Sequence, residues 1–235
     1  MFKFIDIHSH TLPGIDDGME SLKDTLKAYK YMAKLGFEHI ICTPHQKEFS
    51  LNPALATIKN VFDVVEEENE TSVKLHLGTE NYLDSQFLRR LNTKQVPTLA
   101  DSNYFLFELP FSNPVPNLEN ILFQMSLQGY KPVLAHIERY DWLDHKMLKK
   151  LSHSCLYQLN ITSTIKQFVP KPFYKKARKY LDKDLVDIFA TDMHSLHLIR
   201  KVEKSLKWVE KHFGKEYLKL RFYETPLKII RAKQT

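Results

Sequence analysis

The chain has 235 residues, 43% of them hydrophobic and 26% charged, with a formal net charge of +6. That is enough chain to bury a substantial core, and its ordinary apolar and charged fractions exclude a disordered or fibrous protein. No segment approaches the ~20 apolar residues that span a bilayer, and no secretory leader pattern is visible. Cys42 and Cys155 both lie in apolar stretches and read as buried thiols rather than a disulfide scaffold, so a soluble, cytoplasmic protein is expected.

Short apolar runs alternate with helical patterns. Residues 4–7 read as a strand leading into His8-Ser9-His10, where alternation puts both imidazoles on one face, spaced to grip one metal ion. After Pro13-Gly14 the chain turns, and Asp16-Asp17-Gly18 returns toward the histidines, with Asp17 a candidate ligand. Ser21 opens a helix with Leu22, Leu26, Tyr29 and Met32 on one face, and Gly36 closes it. A strand over 39–42 leads to Thr43-Pro44-His45, where proline stiffens the segment holding His45. A helix over 53–70 and a strand over 73–77 precede Gly78-Thr79-Glu80. The two oxygens of Glu80 suit it to bridge two ions, whereas an imidazole has one free nitrogen.

The strand over 104–109 presents Glu108 after nearly all-apolar residues, and burying that charge without a cation is costly. Residues 110–116 read as a loop lining a site. A helix over 117–128, stopped by Gly129, leads to a strand over 132–135, then His136 and Arg139. The forked guanidinium of Arg139 suits phosphate oxygens; Glu138 either orients it or forms a surface pair. A helix over 144–151, a strand over 155–159, a helix over 173–183 and a strand over 186–190 follow, the last ending in Thr191-Asp192-Met193-His194. Residues 198–213 form a further helical pattern, and lysines at helical spacing continue to Arg231.

This order predicts an α/β fold with a mainly parallel sheet covered by helices. Seven strands would close into an irregular barrel; an open doubly wound sheet is the alternative. Candidate ligands at the C-terminal ends of many strands favour the barrel, where those ends meet at one mouth. Without a linker, an internal repeat or a low-complexity region, a single domain over 1–235 is expected. The metal candidates are His8, His10, Asp17, His45, Glu80, Glu108, His136, Asp192 and His194, enough for three ions with open positions. The absence of thiolates argues against structural zinc, and the donor set suits Mn, Fe, Zn or Mg. Hydroxide held between ions is a nucleophile at neutral pH. Phosphoester hydrolysis is therefore expected, with Asp192 orienting the water, His194 as ligand or general acid, and Arg139 on the phosphate. An amidohydrolase uses similar groups. The basic C-terminal half is either a solvated helix face or a patch for an acidic partner, and no motif points to nucleic acid.

As a set, Ile5-Asp-Ile-His-Ser-His10, Leu12-Pro-Gly-Ile-Asp-Asp-Gly18, Cys42-Thr-Pro-His45, Gly78-Thr-Glu-Asn-Tyr-Leu-Asp84, Phe107-Glu-Leu-Pro110, Ala135-His-Ile-Glu-Arg-Tyr140 and Thr191-Asp-Met-His194 resemble the PHP (polymerase and histidinol phosphatase) superfamily. Within it the chain looks most like the bacterial CpsB/YwqE-type capsule and exopolysaccharide tyrosine phosphatases. The resemblance implies a distorted TIM-like (β/α)7 barrel with a trinuclear, often manganese-dependent centre. It implies that His8, His10, Glu80 and Asp192 hold one ion, that Glu80, Glu108 and His136 hold a second, and that Asp17, His45 and His194 hold a third. The implied substrate is phosphotyrosine on the tail of a membrane-associated tyrosine kinase of polysaccharide export, with no membrane insertion by this chain. A second phosphate-binding arginine belongs to the pattern. Arg200 lies one position late for that role, with His197 an added candidate. A phosphatase of a small metabolite such as histidinol phosphate is the alternative activity, although the 12–18 segment favours the tyrosine branch. Some relatives form rings, which leaves homo-oligomerisation open.

Overall fold

A computed structural model of the chain describes residues 3–232. The strands are β1 (Phe4–Ser9), β2 (Phe37–Cys42), β3 (His45–Gln46), β4 (Lys74–Leu77), β5 (Glu80–Tyr82), β6 (Tyr104–Glu108), β7 (Lys131–Leu134), β8 (Leu156–Asn160) and β9 (Ile188–Ala190). The helices are α1 (Leu22–Leu35), α2 (Leu55–Glu67), α3 (Ser85–Asn92), α4 (Leu118–Leu127), α5 (His145–Leu151), α6 (Lys171–Asp182), α7 (Leu198–Phe213), α8 (Lys215–Lys219) and α9 (Thr225–Arg231).

Every strand pairing is parallel, in the orders β1-β2-β4 and β3-β5-β6-β7-β8-β9. The expected strands over 39–42 and 73–77 are β2 and β4; beyond Thr43-Pro44 and Gly78-Thr79 the chain pairs again as the short strands β3 and β5, which the sequence reading did not include. A Cβ on Gly78 would stand 2.8 Å from a terminal methyl of Leu99, so a larger residue at this break would displace that buried side chain. The amides of Gly78 and Glu80 donate to the Cys42 and Pro44 carbonyls across the junction. The last strand returns beside the first: Asp192 N donates to His8 O at 2.9 Å, and Ser9 bridges Met193. The result is a curled parallel sheet with the distorted TIM-like architecture that the resemblance implies, built among the described residues from nine strands rather than the seven expected.

Apolar side chains fill both faces of this sheet. Ile5, Ile7, Ile41, Leu106, Val133 and Ile188 form an inner cluster, and Ile229 of α9 packs into it. The lysine-rich C-terminal pattern thus ends in a helix whose apolar face joins the barrel core. Tyr29, Met32, Ile58, Phe62, Phe105 and Tyr180 belong to the larger cluster that contains the buried helix faces. α1 is bounded as expected: Ser21 accepts from Asp24 N, and Gly36 caps the helix at φ 100°. Cys42 and Cys155 are free and buried, as expected. Among the described residues no helix is long and apolar enough to cross a membrane.

A register slip in β1 aims the first ligands. Asp6 pairs with Ile40 and Ser9 with Cys42, so three residues of β1 oppose two of β2. Such a bulge changes which residues face inward. Ile5 and Ile7 enter the inner apolar cluster, and His8 and His10 then face the centre described next.

Candidate metal centre

Nine side chains from seven places in the sequence converge at the C-terminal end of the barrel. Glu80 lies in the middle. Its Oε2 is 3.2 Å from His8 Nε2, His10 Nε2 and His45 Nδ1, and its Oε1 is 2.8 Å from His136 Nε2. Glu108 stands 3.6 Å from His45 and 3.8 Å from His136. Asp192 Oδ1 is 3.4 Å from His8 and His10 and 3.3 Å from His194. Asp17 lies 3.5 Å from both His45 and His194. The ligand atoms form three overlapping groups: His8, His10 and Glu80; His45, Glu80 and Glu108; and His10, Asp17, His45 and His194. The structure therefore brings all nine sequence-derived candidates together. It also draws His45 toward Glu80 and Glu108, and His10 toward Asp17, which the motif assignment did not do.

The donor set fits cations. His8 Nε2 and His10 Nε2 are 3.1 Å apart, a contact between two lone pairs unless a proton or an ion lies between them. His45 Nδ1 is buried near Glu80 without hydrogen-bond geometry, and His136 Nδ1 is buried without a partner. Charge balance says the same. Burial pushes the Glu80 carboxyl up, yet the imidazoles of His8, His45, His10 and His136 hold it well below the usual range. Burial and the neighbouring Glu80 push Glu108 up to about 8. Burial alone would lower His8, but Glu80 and Asp192 raise it to about 9. Burial, reinforced by Arg139, lowers His136 to about 4. A buried carboxylate kept protonated beside a buried imidazole kept charged is a site short of cations.

Other residues hold the ligands in place. Asp16 Oδ2 accepts from His10 Nδ1 at 2.7 Å and from the His45 amide, while its Oδ1 accepts from the Gly18 amide. A Cβ on Gly18 would stand 2.1 Å from His10 O, so this return loop requires glycine. Gln158 Oε1 accepts from His8 Nδ1 and the His136 amide, and Gln158 Nε2 donates to Asn160 Oδ1. Asn160 Nδ2 donates to Asp192 Oδ2 at 2.7 Å. His194 Nδ1 donates to Asp192 O. In His8, His10 and His194 the Nδ1 atoms are thus committed to acceptors, which leaves Nε2 as the ligand atom. His136 at φ 31° and Asp192 at φ 52° occupy the left-handed region, a strained backbone state that non-glycine residues keep where the site demands it.

Asp16, Gln158 and Asn160 escaped the sequence reading as functional residues. The signal for the amides was a polar i, i+2 pair on an otherwise apolar strand, Gln158-Leu159-Asn160. Lys47 was also missed. Its ammonium lies 4.4 Å over the Tyr82 ring, and its charge acts on Glu108.

Arg139 donates to Asp192 Oδ2 at 2.6 Å. With Phe111, Asn160, Pro170 and Phe173 it lines a cavity of about 280 Å³. Glu138 forms neither of the expected pairs: it is fully buried and accepts from Ser163 Oγ and the Asn160 amide. Arg200 is exposed and lines a separate cavity with Lys27, Tyr31 and Glu203, none of them a candidate ligand. His197 borders that cavity and the groove beside His194.

Comparison with known proteins agrees with this geometry. The family model described as "Capsular polysaccharide synthesis, CpsB/CapC" matches residues 4–231. The tyrosine-protein phosphatase CpsB of Streptococcus pneumoniae is 31% identical over 237 residues, covering 96% of this chain and 98% of its own. The tyrosine-protein phosphatase YwqE of Bacillus subtilis is 27% identical, covering 90% and 86%. Among solved structures, one described as covering YwqE of B. subtilis and CpsB of S. pneumoniae, metal-dependent tyrosine phosphatases, superposes with a TM-score of 0.87 at 24% identity. That match covers 98% of this chain and 95% of the other. A lactonase from Listeria monocytogenes shares the fold more loosely, with a TM-score of 0.63 at 11% identity over 99% of this chain and 95% of its own.

Proposed function

The chain belongs to the CpsB/CapC family of capsular polysaccharide synthesis, and on that premise we propose that it is a metal-dependent protein-tyrosine phosphatase. We assign it phosphotyrosine in the tail of a membrane-associated bacterial tyrosine kinase of polysaccharide export, reached from the cytoplasm by a single PHP-type domain. The observation that carries this reading is the set of three overlapping His/carboxylate groups beside an arginine-bearing cavity.

His8, His10, Glu80 and Asp192 would hold one ion, Glu80, Glu108 and His136 a second, and Asp17, His45 and His194 a third. Manganese is the assigned metal, with iron, zinc and magnesium compatible with the same donors. Bound divalent ions supply Lewis acidity that lowers the pKa of water and offsets charge on the phosphoryl group. Burial opposes ionisation of Asp192, but Arg139 and His8 hold its carboxyl well below the usual range. It therefore stays an acceptor able to orient water through Oδ1, while Oδ2 is engaged by Arg139 and Asn160. One guanidinium donor of Arg139 is spent on Asp192, and those that remain bind equatorial phosphoryl oxygens. Phe111 and Phe173, also on the cavity wall, flank the phenyl ring. Phenol has a pKa of about 10, so its anion leaves with little help, and His194, with Nδ1 on the Asp192 carbonyl and Nε2 free to ligate, serves as ligand rather than as general acid.

The test is a substrate panel on the manganese-loaded protein: a phosphotyrosine peptide, its phosphoserine counterpart and histidinol phosphate. The expected result is rapid phosphate release from the phosphotyrosine peptide alone. Preference for histidinol phosphate would move the protein to the metabolite branch, and turnover of none would remove the enzymatic reading.

A further inference from the structure

The positive charge of the chain is concentrated beside the cavity. Residues 141–184 contain nine lysines, one arginine and four aspartates, a surplus of six that equals the net charge of the whole protein. Most of the acids in this stretch have partners or other work. Asp182 faces Arg178 and Asp184 pairs with Arg221, while Asp144 caps α5. Lys150 pairs with Glu119, and Lys176 donates to the Tyr140 carbonyl. Lys166, Lys171, Lys175 and Lys179 are all exposed and form no ion pair among the described residues.

Three of these lysines, on α6, form a row with a defined start. Val169, Pro170 and Phe173 line the Arg139 cavity; Lys171 lies within that segment and Lys166 three residues before it. Along α6, Lys171, Lys175 and Lys179 recur every four residues, on the face opposite the buried Ala177, Tyr180 and Leu181. They span about 12 Å at 1.5 Å per residue, the length of about four residues of extended peptide. Like charges in single file, unneutralised by the protein, create a local positive potential that attracts anions. A lipid surface would also need apolar side chains to insert, and none of the large exposed hydrophobic residues lies on 165–183.

We propose that this row binds the anionic stretch of a peptide substrate that flanks the phosphotyrosine seated in the cavity. A tail carrying a second phosphoryl group four residues away is then the preferred substrate, since one phosphate of charge about −2 balances two lysines. This inference rests on the phosphatase reading above.

The experiment compares wild type with a Lys171→Glu/Lys175→Glu/Lys179→Glu variant on p-nitrophenyl phosphate and two otherwise neutral peptides, carrying one or two phosphotyrosines. For wild type, kcat/KM is expected to be about tenfold higher on the doubly phosphorylated peptide at low salt, and equal on both near 0.5 M salt, where the Debye length is only about 4 Å. The variant should lose this preference and hydrolyse p-nitrophenyl phosphate like wild type. Retention of the preference by the variant overturns the proposal. Fluorescence anisotropy with phosphonomethyl-phenylalanine versions of both peptides reads binding without turnover. Inactivity on all three substrates would end the phosphatase reading, and anisotropy would still decide the row. Loss of co-sedimentation with phosphatidylglycerol vesicles while peptide discrimination is unchanged would also overturn it, in favour of a lipid surface.

Discussion

The candidate metal centre has a dry half and a wet half. The side chains of His8, His10, Glu80, Glu108, His136 and Asp192 are at most 3% exposed, whereas those of His45, His194 and Asp17 are 12%, 28% and 56% exposed. In the dry half bulk solvent does not reach the side chains, so each group needs a partner or an ion. That is where the protein spends Gln158, Asn160 and its strained backbone at His136 and Asp192. At the rim, solvent shares the work and the neighbours are fewer. The contrast predicts a graded response to substitution.

The largest loss should come from the dry half. Glu80→Gln and His136→Ala are each expected to cut kcat/KM by about a thousandfold, roughly 4 kcal/mol of transition-state stabilisation, with circular dichroism unchanged. Near-wild-type rates in metal-loaded His136→Ala would remove that residue from the centre. Next come the residues that hold ligands: Gln158→Leu and Asp16→Asn should lower metal affinity or activity about 10- to 100-fold, read by metal titration. If their effect equals that of surface substitutions, Nδ1 anchoring is unimportant here. At the rim, Asp17→Asn should cost less than any dry ligand at saturating metal. A loss as large as that of Glu80→Gln would erase the distinction between the halves.

Proton release gives an independent check on the dry half. Without metal, Glu108 with a pKa of about 8 holds a proton at pH 7, and so does His8 with a pKa of about 9. Both must lose those protons to ligate, so apparent metal affinity should rise with pH between about 6 and 8, by up to tenfold per unit for each proton displaced, and level off above about 9. A flat profile in calorimetric titration would mean that both groups are already deprotonated, Glu108 as carboxylate and His8 as neutral imidazole, before metal binds. The smallest effect is expected for Lys47→Met, about two- to fivefold in kcat/KM, the scale of one partly exposed charge.

Much of this site was legible in the sequence because the candidate ligands other than Asp17 are charged or imidazole residues at or just past the end of an apolar run, as Glu108 is after Phe105-Leu106-Phe107. A buried charge has few explanations, and convergence of strand ends in a parallel barrel supplied the rest. The residues around the ligands were less legible. Amides such as Gln158 and Asn160 bear no charge and carry a signal only through their i, i+2 spacing. The slip in β1 is a property of pairing and leaves no mark in residue type. Arg200 has suitable chemistry but lies on the outer side of α7, which adjacency to His194 in sequence did not reveal. The C-terminal segment reads as a solvated helix face or a patch for an acidic partner because its lysines recur at helical spacing, and that spacing does not reveal that Leu227, Ile229 and Ile230 pack into the barrel.

The central claim is that these side chains converge to hold a cluster of cations required for turnover. The most direct test starts from chelated protein, adds manganese stepwise, and measures bound metal and phosphate release from a phosphotyrosine peptide on the same samples. The account predicts no turnover without metal and a rise to full activity as about three ions bind per chain, the number that its mixed donor groups can serve. Undiminished turnover in protein verified to be metal-free would contradict it.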